Sequence, residues 1–204
     1  MPAIFNEQNR EAVRIRMLEN GAELLKKYGV KRMTVADIAR ASGLAKGTFY
    51  TFFSSKEEFI YQIILYKREM VRKIFTDLAG DCRRIRRDQL LEFFRRIQRE
   101  DLNIYRYMTE QDMNYLATKW PREYSFNPAA DEETTRWMLS CMEGLRQGIN
   151  WKVLANLMKT LALLDMTKDV LHEDALEETR GVLRKGLLDY LFGCNGEIDK
   201  GAAI

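Results

Sequence analysis

Apolar residues recur three and four positions apart through most of the chain, and that period predicts helices. In the first run, Ile15, Leu18, Ala22 and Leu25 form one stripe of a helix over 8–28, and Gly29 stands where the stripe ends. A short helix is expected from Thr34 and another over 45–52. Thr34-Val-Ala-Asp37 and Ser55-Lys-Glu-Glu58 each set a hydroxyl three residues before an acid, the pattern of a capped helix start. The second opens a long helix to about 78, with Phe59, Ile63, Tyr66 and Met70 on one face. Further helices are predicted over 86–101, 102–118, 130–148, 151–168 and 173–193. Pro121 and Pro128 break the stretch 119–131, the one clear loop. No segment alternates as a strand would, and no hairpin turn separates two apolar runs. The expected fold class is all-α, with an N-terminal three-helix head over 1–54 and a C-terminal helical-bundle body over 55–204.

Composition narrows the function. At 204 residues and 46% hydrophobic, the chain can bury a sizeable core. Its net charge is only +3, but residues 1–60 hold 10 basic and 7 acidic side chains, so the whole excess sits at the N-terminal end. A polyanion would meet that end first. Cys82, Cys141 and Cys194 are scattered, with no C-x-x-C pair, as in a reduced intracellular protein. No signal peptide and no membrane-length apolar run is visible, so a soluble, cytoplasmic protein without a membrane partner is expected. One histidine, His172, and three distant cysteines make a poor metal set. Gly181-x4-Gly186 lacks the Lys-Ser/Thr of a phosphate loop, and no G-x-S-x-G occurs. Neither an enzyme nor a cofactor is expected.

The densest chemistry lies in "MTVADIARASGLAKGTFYTFFSSKEEF", residues 33–59. Ala39-x3-Gly43-x5-Phe49 supplies what a helix-turn-helix needs: a small residue at the crossing, a turn residue that tolerates positive φ, and an apolar anchor. That spacing alone also occurs in helical proteins that bind no DNA. The polar edge adds to it. Thr34 stands at a helix start, where free N–H groups favour a phosphate. Lys56 lies in the first turn of the fourth helix, where a cation opposes the dipole unless an anion joins it. Lys46, Thr48, Tyr50 and Thr51 share the short second helix with Gly47, which permits close backbone approach. Such a helix suits the major groove: threonines can meet base edges or phosphates, and the tyrosine hydroxyl a phosphate.

This stretch resembles the N-terminal signature of TetR/AcrR-type transcriptional regulators. Thr34, Ile38-Ala39, Gly43, Lys46-Gly47-Thr48, Tyr50, Phe53 and Lys56 fall in the pattern without gaps, and the likeness covers about residues 10–65. The resemblance implies a homodimer with a DNA-binding head and a larger helical body that binds a small molecule. It places Thr34, Tyr50 and Lys56 at phosphates, and Ala45, Lys46, Gly47, Thr48 and Thr51 at or near bases. Ala45 and Phe52 depart from it, since polar residues are frequent at both positions, and the operator sequence does not carry over.

The body has two candidate surfaces. Tyr66, Tyr105, Met108, Trp137, Met138, Cys141 and Met142 could wall a pocket for an apolar or aromatic effector, or could be ordinary core. Trp137, Cys141 and Leu145 are expected on one face of the 130–148 helix. Leu157, Leu161, Leu164, Leu183, Leu187 and Leu191 lie on the last two helices, with Gly181 and Gly186 permitting close approach. They could form a four-helix dimer interface or a core hairpin. The basic runs 83–87 and 95–99 could be solvated faces, or could touch DNA or an acidic effector. The expected function is a repressor that binds a near-palindromic operator as a homodimer and is released by a small effector. The rivals are a DNA-binding regulator without an effector and a helical small-molecule carrier.

Overall fold

The computed structural model describes residues 7–81, 84–121 and 128–193. The helices are α1 (Glu7–Arg32), α2 (Val35–Ala41), α3 (Lys46–Phe49), α4 (Lys56–Ala79), α5 (Arg87–Arg99), α6 (Glu110–Lys119), α7 (Pro128–Ser140), α8 (Trp151–Leu163) and α9 (Leu176–Phe192). Short 3-10 turns cover Ile104–Tyr107, Leu164–Val170 and Glu173–Ala175. The chain is all-α, with one isolated parallel bridge between Ile85 and Met142 among the described residues.

The chain forms two compact units. One comprises Met1–Met70 and Ile104–Ser125; the other comprises Val71–Asn103 and Phe126–Ile204. The first unit thus takes in α4 from Lys56 to Met70, together with a later segment of the chain.

In the first unit α1 buries Met17, Leu18, Ala22 and Leu25. Ile15, expected on that stripe, is only half-buried, and Val13 is buried instead. Gly29, at φ 70° and ψ 176°, breaks the helical backbone as expected, and a further turn runs on from it to Arg32. Thr34 then caps α2, and Gly43, at φ 68°, turns the chain into α3. The expected helix over 45–52 is helical only from Lys46 to Phe49 and continues as a turn. Phe49, Phe53 and Phe59 pack ring against ring at 4.8–5.5 Å between centroids. Each such aromatic pair adds about 0.5–1.5 kcal/mol beyond area burial.

The 104–121 segment docks on the same unit. A helix expected over 102–118 is interrupted, because Thr109 and Asp112 close a reciprocal capping box that starts α6 afresh. From α6, Tyr115 donates to the Glu57 carboxylate at 2.7 Å. Trp120 donates to the Glu57 carbonyl at 2.8 Å and sets its ring against Tyr61.

In the second unit Phe75 stacks against Phe93 and Trp137, each at 5.3 Å. Arg87 of α5 bonds Asp189 of α9 at 2.7 Å. Arg180 of α9 bonds the buried Asp165 at 2.6 Å. The helix expected over 130–148 stops at Ser140. The Ile85 N–H donates to the Cys141 carbonyl and the Glu143 N–H to the Ile85 carbonyl, so those groups are lost to a helix. Leu145 therefore does not share a helical face with Trp137 and Cys141. His172 immediately precedes the 3-10 turn at Glu173.

Candidate nucleic-acid interface

A sealed core makes the polar edge of α3 rigid. Phe49 is fully buried, while Tyr50, the next residue, is 53% exposed and meets Phe49 edge-on at 5.3 Å. Lys46, Gly47 and Thr51 are exposed beside it, with Ala45 as the N-cap residue. A Cβ on Gly47 would meet nothing within 4 Å, so the glycine is not needed for internal packing and leaves an open approach to the backbone. Thr51 donates its hydroxyl to the Thr48 carbonyl at 2.7 Å, and Thr48 is half-buried. The structure thus brings Ala45, Lys46, Gly47, Thr48, Tyr50 and Thr51 onto one short element.

Thr34 and Lys56 are engaged inside the protein. The Thr34 hydroxyl accepts from the Asp37 N–H at 3.2 Å and donates to the Asp37 carboxylate at 2.6 Å. That bond, outweighing burial and aided by Arg40, holds the Asp37 carboxyl below its ordinary range. The Thr34 hydroxyl thus spends its one O–H donor and one of its two lone pairs on Asp37. Lys56 donates to the Val30 carbonyl at 3.0 Å. A cation on the last carbonyls of α1 is favourable there. At the start of α4, Ser55 accepts from the Glu58 N–H, while the Glu58 carboxylate accepts from the N–H and hydroxyl of Ser54. The capping is reciprocal, but through Ser54 rather than through Ser55 alone.

Two residues of this unit have no place in the expected motif. Gly21 of α1 lies directly against Phe59. Arg10 of α1 donates to the Thr51 carbonyl at 3.1 Å and stands over the Phe52 ring. Neither is visible by periodicity, because each is defined by a partner far along the chain.

The expected pocket residues fall in both units. In the first, Tyr66 donates to Glu19 at 3.0 Å, which ties α4 to α1; burial, the hydrogen bond and the Glu19 charge all raise its phenol. Tyr105 is buried and accepts from Arg68 at 2.7 Å, and Met108 is buried. In the second, Trp137 packs between Phe75 and Arg72, Met138 and Cys141 are buried, and Met142 is half-buried in the bridge. Of the expected dimer residues, Leu164, Leu187 and Leu191 are buried within the single chain, so they belong to its core and not to a contact face. Leu157, Leu161 and Leu183 are half-buried, and Val182 is 65% exposed. Nothing lies within 4 Å of a Cβ at Gly181 or Gly186, so neither glycine serves packing within the chain. Among the described residues no group of His, Cys, Asp or Glu gathers as a metal site, and no helix is long and apolar enough to cross a membrane.

Residues 17–63 match the family model of bacterial regulatory proteins of the tetR family. An uncharacterized HTH-type transcriptional regulator of Bacillus subtilis (strain 168), YwcC, is 40% identical over 75 residues. That alignment takes in 37% of this chain and spans about a third, 33%, of the relative's own length. A TetR family transcription regulator from Marinobacter aquaeolei VT8 superposes with a TM-score of 0.53 at 18% identity, covering 91% of this chain and 98% of the other. The fatty acid degradation regulator FadR from Bacillus halodurans gives 0.57 at 16% identity, covering 86% and 94%. These two likenesses show the shared fold. Residues 17–63 thus carry the helix-turn-helix head of the tetR family of bacterial regulatory proteins, and the described helices behind it share the all-helical fold of the two solved regulators.

Proposed function

We propose that the protein is a homodimeric repressor whose two heads read a near-palindromic operator and which a small apolar or aromatic effector releases. The observation that carries the DNA reading is the α3 edge, where exposed Lys46, Gly47, Tyr50 and Thr51 stand on the fully buried Phe49. The Lys46 ammonium and the Tyr50 hydroxyl meet no hydrogen-bond or ion-pair partner among the described residues and can be spent on DNA without breaking an internal bond. Two such heads in a dimer would enter successive major grooves about 34–36 Å apart.

The effector reading rests on the body. Trp137, Met138 and Cys141 give the second unit a soft apolar interior beyond what a DNA reader needs. An effector that prefers one head separation over another would shift operator occupancy by that difference in affinity. The homodimer reading rests on the exposed Val182, next to Gly181 and one turn before Gly186, whose missing side chains leave room for a close approach on α9.

The test is a selection from random duplex DNA with the purified protein at two salt concentrations. The expected result is one enriched near-palindrome bound with salt-dependent affinity. Sequence-blind binding only, both before and after refolding to strip any bound ligand, would overturn the reading.

A further inference from the structure

The helix-turn-helix borrows a cation from outside itself. Arg10 lies 41 positions before Thr51 in sequence, yet its Nη2 donates to the Thr51 carbonyl at 3.1 Å. Its guanidinium carbon is 5.4 Å from the centre of the Phe52 ring, within the range of a cation–π contact. Both acceptors are neutral. Among the described residues Arg10 meets no carboxylate, and the adjacent Glu11 is bonded to Arg14 at 3.2 Å. Other basic residues of this unit are neutralised locally: Arg40 pairs with Asp37, and Lys26 with Glu23.

Arg10 therefore keeps its full charge beside the last residues of the α3 turn, and two contacts fix the plane of its guanidinium in advance. Of its five N–H donors, the Thr51 carbonyl occupies one. A planar, pre-oriented fork with free donors is the form in which arginine recognises phosphate. Phe52, apolar where a polar residue would have been expected to face DNA, is then the platform on which a polar group is held.

We propose that Arg10 is a phosphate-contacting residue of the DNA interface, oriented by the Thr51 carbonyl and the Phe52 ring. This rests on the reading of the α3 edge as the DNA contact. It assigns the interface one contact from α1 in addition to those of the helix-turn-helix.

The experiment measures affinity of the full chain for its selected duplex across a series of salt concentrations. Arg10→Ala is expected to lose about tenfold in affinity at low salt, the scale of one charge-assisted hydrogen bond. Its log–log salt slope should become shallower by about one, the value for one phosphate contact. Arg10→Lys should keep the slope, because the charge remains, and lose part of the affinity, because the fork and the ring contact do not. An unchanged slope in Arg10→Ala, with thermal unfolding like the wild type, would overturn the proposal. Should Arg10→Ala unfold, Arg10→Gln decides: it keeps a polar, helix-compatible side chain and drops the charge, so an unchanged slope there overturns it equally. A wild type that enriches no sequence would instead sink the DNA reading itself, so the two failures are told apart.

Discussion

Gly21 and Phe59 are in contact so close that no side chain fits between them: a Cβ on Gly21 would stand 2.4 Å from Cε1 and Cζ of the Phe59 ring. Phe59 is fully buried and packed edge-on against Phe49 and Phe53, so the ring has nowhere to turn. The glycine is what lets α1 and α4 meet. In an exposed helix, Gly→Ala would stabilise by about 1 kcal/mol. Here Gly21→Ala is expected to destabilise by about 1–3 kcal/mol, the cost of overpacking a filled core. Urea unfolding checks the sign, and trimming the ring in Gly21→Ala/Phe59→Leu should recover part of the loss.

Tyr50 is expected to matter for DNA and not for stability. Its hydroxyl has no partner among the described residues, so Tyr50→Phe removes nothing internal. Affinity for the selected duplex should fall by about tenfold to a hundredfold, the range of one hydrogen bond to a charged group, while the melting temperature stays as it was. Equal losses in both would show that the hydroxyl supports the fold and does not meet DNA.

The Tyr115–Glu57 bond gives a pH prediction with a sign at each end. Burial raises the Glu57 carboxyl, but the Tyr115 hydrogen bond, with backbone and lysine contributions, holds it below its ordinary 4.5. Its stabilisation is present above 4.5 and is lost as pH falls through the lowered value. The same bond, then burial and the Glu57 charge, raises the Tyr115 phenol above its ordinary 10.0. Its stabilisation is present below 10.0 and is lost as pH rises through the raised value. Tyr115→Phe should therefore cost a nearly constant amount between those limits. That amount should be about 0.5 kcal/mol, because the pair is exposed and screened. Thermal unfolding across pH should show wild type and variant converging at both extremes.

Asp165 and Arg180 form the more costly pair to break. Their side chains are 10% and 13% exposed and 2.6 Å apart. Asp165→Ala leaves the Arg180 guanidinium with the exposed Glu177 as its remaining carboxylate and is expected to cost about 1–3 kcal/mol. Asp165→Ala/Arg180→Met should cost less, since the half-paired buried charge goes with it; denaturant midpoints for the three proteins test the difference.

Local constraints made the head legible in the sequence. Gly43 in the turn, Phe49 as anchor and the Thr34 cap each act within a few residues of themselves, so a short window carries them. The stop of α7 at Ser140 was not legible, because Ile85 imposes it from across the second unit. The break before α6 left a local trace in Thr109 and Asp112, masked by a continuous apolar period. The Lys56–Val30 bond shows a different limit. A lysine in a first turn suggested an external anion; α1 also supplies an internal carbonyl, which takes one of its three N–H donors and leaves two for an anion. Leu187 and Leu191 were indistinguishable from surface leucines by spacing alone, since helical period gives a face but not what covers it.

The chain passes between its two compact units three times, after Met70, Asn103 and Ser125. Recombination of such a protein cannot proceed by one junction. A chimera joined at residue 54 would carry Gly21, Glu19 and Arg14 in from one parent, and Phe59, Tyr66 and Gln62 from the other, so that every contact between α1 and α4 would be a mismatch. Joining at residue 70 would repair those contacts but leave the Tyr115 and Trp120 bonds to Glu57 split between parents. A donor head transplanted with both residues 1–70 and 104–125 is the smallest graft that keeps these contacts within one parent, and new operator specificity would be engineered most cleanly by altering α3 in place.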